Sequence, residues 1–211
     1  MRRALLIAAS VVAALVALLV VSQLLVPPYL EHRAEKRLTK HGGHATVSID
    51  ALPAFRLLFD DGDKIKVRGE GLHVELLSPG GDNQVFNELD RFDQADVRLT
   101  RMSAGPFAVR RVVLSRADAS RPYSLVVDAS VTARALSSYA GGQLGGSLGA
   151  LIARLVSGFV PFSSEPIPVE VGAAIRSQHG RPQLQAVNGT IAGLPAGPFA
   201  AALASAIADR F

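Results

Sequence analysis

The chain has 211 residues, 49% hydrophobic and 19% charged, with neither cysteine nor tryptophan. That balance excludes a disordered chain. The missing cysteine excludes a disulfide framework, a thiolate metal site, a cysteine nucleophile and a cysteine-linked lipid anchor. Of the 22 Lys and Arg, Arg2 and Arg3 precede a long apolar run; the other 20 face 18 Asp and Glu, leaving a charge of only +2. Nucleic-acid-binding domains carry a far larger basic excess, so no nucleic-acid partner is expected.

Residues 4–26 hold 23 positions without a charge. As a helix this run would extend about 35 Å, enough for a hydrocarbon core of about 30 Å. Pro27-Pro28 closes it. Arg2 and Arg3 favour a cytoplasmic N-terminus, while Arg33, Lys36, Arg37 and Lys40 follow, diluted by Glu31 and Glu35. The rival is a cleaved signal peptide, but no A-x-A motif is present and Val20-x-Ser22 is the best site. The expected organisation is a single-pass anchor or signal segment over 1–28, a charged juxtamembrane helix over 29–44, and an extracytoplasmic domain over 45–211. In the helix, Leu30, Ala34 and Leu38 share a face, and Gly42-Gly43 ends it.

Strand patterns follow. Residues 45–49 alternate. Ile65 and Val67, then Leu72, Val74 and Leu76, alternate on either side of Gly69-Glu70-Gly71, where the phase slips by one, as at a β-bulge. Ala95, Val97 and Leu99 alternate, as do Tyr123, Leu125, Val127, Ala129 and Val131. Ile167 to Ile175 alternates into the turn Gln178-His179-Gly180-Arg181-Pro182 and returns through Leu184 to Ile191, predicting a hairpin. One alternating face per strand predicts an antiparallel sheet with one covered side.

Two helical stretches stand apart. Residues 133–162 place Leu144, Leu148, Leu151, Ile152, Leu155 and Phe159 at helical spacing, with Arg154 the only charge between Ala135 and Ser164. Such a helix must be buried, wrapped by the sheet, or turned to lipid. Residues 198–211 carry Phe199, Leu203, Ile207 and Phe211 on one stripe, with Pro198 suited to a helix start. The pentapeptide Ala104-Gly105-Pro106-Phe107-Ala108 recurs letter for letter as Ala196-Gly197-Pro198-Phe199-Ala200, with a looser version at Ala51-Leu52-Pro53-Ala54-Phe55. These are either convergent turn chemistry or apolar loops clustered at one end of the sheet.

Motifs for catalysis and metals are weak. Gly145-Gly146-Ser147-Leu148-Gly149 fits G-x-S-x-G, and Ser147, Glu165 or Glu170, and His179 copy a hydrolase order. A nucleophile elbow needs a preceding strand, and none is expected there. His41-x-x-His44 lacks a third ligand, and Asp60-Asp61-Gly62-Asp63 lacks the terminal glutamate of a calcium loop. No cofactor and no metal is expected. Charge is uneven: Asp60 to Asp96 carries a net −6, whereas Val97 to Arg116 holds five arginines and no acid. Arginine grips phosphate bidentately. Arg98, Arg101, Arg110 and Arg111 are therefore either ordinary strand faces that partly neutralise the acidic region, or a lip for anionic head groups.

The apolar run leads directly into Leu30-Glu-His-Arg-Ala-Glu-Lys-Arg-Leu. Val47-Ser-Ile-Asp-Ala-Leu-Pro-Ala-Phe-Arg-Leu-Leu and Lys64-Ile-Lys-Val-Arg-Gly-Glu-Gly-Leu follow. This order resembles the actinobacterial LmeA-like family of membrane-anchored phospholipid-binding proteins. The family's turn is Gly-Phe-Pro-Phe-like, where this chain has Ala51-Leu52-Pro53-Ala54-Phe55. Ile167-Pro-Val-Glu-Val through Gly193-Leu-Pro is also similar in layout. The resemblance covers most of the exported part by pattern, and no functional residue carries over by position. It implies an elongated, curved sheet wrapped around helices, an apolar groove for lipid, and a role in envelope lipid or lipoglycan assembly.

Together these observations predict an α+β domain behind an N-terminal transmembrane helix, with a curved antiparallel sheet around apolar helices. The expected ligand is a phospholipid, including anionic ones such as phosphatidylinositol, and the expected location is the cell membrane. The groove would be lined by Leu144, Leu148, Leu151, Ile152, Leu155 and Phe159 with Phe107 and Phe199. The head group would meet Arg98, Arg101, Arg110 and Arg111. The alternatives are a non-catalytic envelope scaffold that docks a partner through its apolar helix and, less favoured, a serine hydrolase.

Overall fold

A computed structural model describes residues 26–40, 42–59, 61–74, 84–135, 165–178 and 180–197, with the single positions 200, 201 and 204. The strands are β1 (His44–Asp50), β2 (Gly62–Glu70), β3 (His73–Val74), β4 (Phe92–Ala104), β5 (Phe107–Arg116), β6 (Tyr123–Val131), β7 (Ile167–Gln178), β8 (Arg181–Ile191) and β9 (Leu194–Pro195). Helix α1 covers residues 26–38, and α2 is Gln84–Leu89. The strands form one open sheet in the order β1-β2-β4-β5-β6-β7-β8-β9, with β3 pairing β4 as a continuation of β2.

The alternation in the sequence becomes a core on one face. Val47, Val67, Val97, Leu99, Val112, Leu114, Leu125, Val127, Val169 and Val171 are all buried there. Intervening residues such as Lys66, Arg98 and Ser124 face the other side. The expectation of a purely antiparallel sheet needs one correction: β2 and β4 are parallel, Val67 standing opposite Val97. The segment carrying α2 returns the chain to the end of the sheet where β2 began. Parallel neighbours require such a crossover.

The phase slip read at residues 69–71 falls between β2 and β3. Gly71 has φ +67° and Arg101 has φ +51°. In β5 two consecutive residues, Arg110 and Arg111, both point outward, and the pairing with β6 shifts between Val109 and Arg111. Thr100 and Arg101 in β4 and Arg110 and Arg111 in β5 thus turn two successive side chains away from the core, while the pairing on β4 keeps its register and only the β5–β6 pairing is bulged.

The repeated pentapeptide takes two structures. Gly105-Pro106 is a two-residue hairpin turn with Gly105 at φ +53°, between the paired Ala104 and Phe107. Glycine at the first central position suits such a turn. At the second copy, positions 197, 200, 201 and 204 are helical, and the Ala200 amide donates to the Ala196 carbonyl at 2.8 Å. Both copies lie at one end of the sheet. The looser Ala51–Phe55 version follows β1 at the opposite end, so the three do not cluster.

Ala200 is 1% exposed and sits directly over β8. A Cβ on Gly189 would come within 2.5 Å of the Ala200 Cβ and 2.7 Å of the Glu170 carbonyl oxygen. Neither neighbour is a flexible side-chain end. Gly189→Ala should therefore cost about 1–3 kcal/mol, as overpacking does, read as a shift in the denaturation midpoint. An unchanged midpoint would show that the helix can slide.

Candidate functional site

The first turns of α1 carry Leu30 and Ala34 on one face, and both pack against the core. The helix lies along the edge strand β1, which would otherwise present unpaired amides. Glu31 Oε1 accepts the Ile49 amide at 2.8 Å, and Glu35 Oε1 accepts the Val47 amide at 3.0 Å. Two carboxylates one helical turn apart thus match alternate amides of a strand. The edge is thereby covered, which blocks pairing with other chains.

Between α1, β1, β2, the 3-10 helix Ala54–Phe59 and α2 opens a cleft of about 380 Å³. Its apolar wall is Leu30, Ala34, Ile49, Leu57, Ile65 and Phe92. Its charged rim is Arg33, Arg37, Asp61, Glu88 and Arg91. Arg37 Nη1 meets Glu88 Oε1 at 2.9 Å across the mouth. Asp61 is gripped by Arg56 at 2.8 Å and 2.9 Å, and the Arg56 hydrogen bond holds its carboxyl below the usual carboxylate range despite some desolvation. An apolar cavity with a few convergent polar groups is the usual form of a small-ligand site.

A buried polar network lies next to the Glu88–Phe92 segment of this cleft. Arg116 is 7% exposed. Its Nη1 donates to Asp90 Oδ1 at 3.1 Å, while Nη2 donates to the carbonyls of Leu89, at 3.3 Å, and Phe92. Asp90 also accepts the Tyr123 hydroxyl at 2.9 Å and the Ser177 hydroxyl. The guanidinium lies 4.5 Å over the Tyr123 ring, and Phe86 meets that ring edge-on at 5.3 Å. Burial pushes the Tyr123 phenol far above its ordinary range, with Asp90 adding to the shift against Arg116. These groups tie α2 and the rim residues around it to β4, β5, β6 and β7.

The expected head-group arginines lie elsewhere. Arg98 pairs with Asp96 at 3.0 Å, Arg101 pairs with Glu70, and Arg111 pairs with Asp128 at 2.6 Å. Burial works to raise the Asp96 carboxyl, but Arg68 and Arg98 together hold it below its usual value. Arg110 is exposed beside Arg111 at the bulge of β5. Four cations on this outer face thus have acids or one another as neighbours, and the acidic and basic regions of the sequence meet across strands. Phe107 is 7% exposed and belongs to the core on the other face. The structure therefore does not bring Phe107 and the arginines together. Leu144, Leu148, Leu151, Ile152, Leu155, Phe159 and the Phe199 side chain lie outside the described residues, as do Ser147, His41 and His179.

Sequence reasoning missed Glu88, Arg91 and Phe92, and treated Arg33 and Arg37 only as charges flanking the apolar run. Their spacing of four, beside Leu30 and Ala34, was the available signal. Among the described residues no cluster of three His, Asp or Glu could hold a metal ion. None of their helices is long and apolar enough to cross a membrane; positions 4–25 of the apolar run lie outside them. No family model, curated protein or solved structure matches the chain.

Proposed function

We propose that this chain is a membrane-anchored, extracytoplasmic phospholipid-binding protein, without catalysis, that acts in cell-envelope lipid or lipoglycan assembly or transport. The observation that carries this reading is the cleft: an apolar wall beside an arginine-bearing rim, along the helix α1 that follows the apolar run in the sequence. Acyl carbons favour the wall by the hydrophobic effect, and guanidinium groups favour a phosphate. The resemblance to the LmeA-like family points the same way. The reading includes an acyl-binding role for the apolar residues of 144–159, which lie outside the described residues, and a preference for anionic phospholipids.

The test uses the full-length chain, gently extracted and analysed for copurifying phospholipid by mass spectrometry. Phospholipid should be retained. Arg33→Glu, at an exposed rim position, should leave the melting curve unchanged and weaken uptake of a fluorescent phosphatidylglycerol by about tenfold or more, since a charge-assisted hydrogen bond contributes about 1.5–3 kcal/mol. Wild-type protein that carries no phospholipid and takes up none would sink the proposal and favour a scaffold.

A further inference from the structure

Exposed large apolar side chains are normal when scattered and informative when gathered. Among the described residues, Tyr29 (67% exposed), Leu52 (76%), Phe55 (39%) and Phe59 (76%) belong to one end of the sheet. The bonds from Ile49 to Glu31 and from Val47 to Glu35 show that α1 runs antiparallel to β1. Tyr29, two residues before Glu31, therefore stands level with the end of β1, where residues 51–59 begin. Leu30 and Leu57 line the same cleft, which joins the two segments directly. Leu194, also exposed, lies at the opposite end of the sheet.

The segment that bears these side chains is braced. Arg56 holds Asp61 through two nitrogens, Asp63 at 2.5 Å and the Leu52 carbonyl at 3.2 Å. Asp63 also accepts the Leu52 amide at 2.7 Å. These bonds hold the backbone while Leu52, Phe55 and Phe59 stay exposed. Tyr29 follows the last residue of the 23-residue uncharged run by three positions. A bilayer reached by that run lies at this end of the domain. Aromatic side chains prefer the head-group level of a bilayer, and Arg33, Lys36 and Arg37 on the adjoining helix favour anionic lipid.

We propose that Tyr29, Leu52, Phe55 and Phe59 form a surface seated in the interfacial region of an anionic phospholipid bilayer, at the end of the domain where α1 begins. The inference rests on the anchor of the proposed function and deepens it: the protein meets its lipid in the bilayer to which it is attached.

The chain has no tryptophan, so one introduced indole reports alone. Full-length Phe59→Trp, Leu52→Trp and Leu194→Trp would be reconstituted into phosphatidylcholine–phosphatidylglycerol vesicles, with and without lipids brominated near the head-group end of the acyl chains. Quenching is expected to be several-fold stronger at positions 52 and 59 than at 194, with wild-type melting curves for all three. Equal quenching at all three positions overturns the inference. So does an indole at 59 that is blue-shifted but unquenched, because a protein surface would then cover the patch. The two proposals separate cleanly. Strong quenching without copurifying phospholipid keeps the membrane surface and removes the lipid-binding function; copurifying phospholipid without selective quenching does the reverse.

Discussion

Replacing Asp90 with alanine should lower the unfolding free energy by about 3–5 kcal/mol, the usual cost of leaving one buried charge of a pair without its partner. Arg116 would keep its carbonyl acceptors from Leu89 and Phe92 but lose its counter-charge in a nearly solvent-free position. The hydroxyls of Tyr123 and Ser177 would lose their acceptor at the same time. Ser177→Ala removes a single hydroxyl and should cost about 0.5–1.5 kcal/mol. Denaturant titration of the three proteins gives the comparison. An Asp90→Ala midpoint no lower than that of Ser177→Ala would mean that Arg116 finds other compensation. Because domains are stable by only about 5–15 kcal/mol, the expected loss is a large share of the total, and α2 should be the first element to loosen.

The second large effect is expected at the seam between α1 and β1. Hydrogen bonds to charged groups contribute about 1.5–3 kcal/mol each, so Glu31→Ala combined with Glu35→Ala should destabilise the domain by several times what Lys36→Ala, at an exposed position of the same helix, would cost. The more specific readout is hydrogen exchange: the Val47 and Ile49 amides should lose protection while those of β5 and β6 keep theirs. The Gln replacements retain an acceptor oxygen and should restore most of that protection. If protection at Val47 and Ile49 survives the double alanine variant, α1 shields the strand by packing through Leu30 and Ala34 rather than through its carboxylates.

The strands were legible because a half-buried strand writes its own period. The phase slip at Gly69-Glu70-Gly71 falls at a left-handed Gly71 between β2 and β3 without a shift of register on β4, and the turn at 178–182 returned as the β7–β8 hairpin. The parallel pairing of β2 with β4 was not legible, because it depends on a crossover carrying a helix of only six residues. The pentapeptide shows the limit most plainly: Ala-Gly-Pro-Phe-Ala is a hairpin turn between β4 and β5 and a helix start after β9. Local propensity allows both, and the neighbouring strands decide. The arginines misled for a related reason. Arg111 finds Asp128 only because β5 is bulged one residue earlier, and no spacing in the sequence reveals that register. The cleft draws on residues from Leu30 in α1 to Phe92 in β4, with five elements between them in the chain, so its rim could be seen only after folding.

The Glu31 and Glu35 contacts also bear on how the domain hangs from its attachment. A flexible glycine–serine tether lets a tethered module sample a cloud of positions and orientations. Here the first element after the apolar run is pinned to the sheet at two points, and each residue of helical rotation turns a side chain by about 100°, so a twist of even one position would break both. On the anchor proposed above, α1 pinned in this way would act as a bracket rather than a tether. It would spend little orientational entropy at each encounter with a ligand in the plane beneath it, and it would give the domain almost no reach toward a second surface. A lipid-binding domain so mounted would collect from, or deliver to, the layer it stands on.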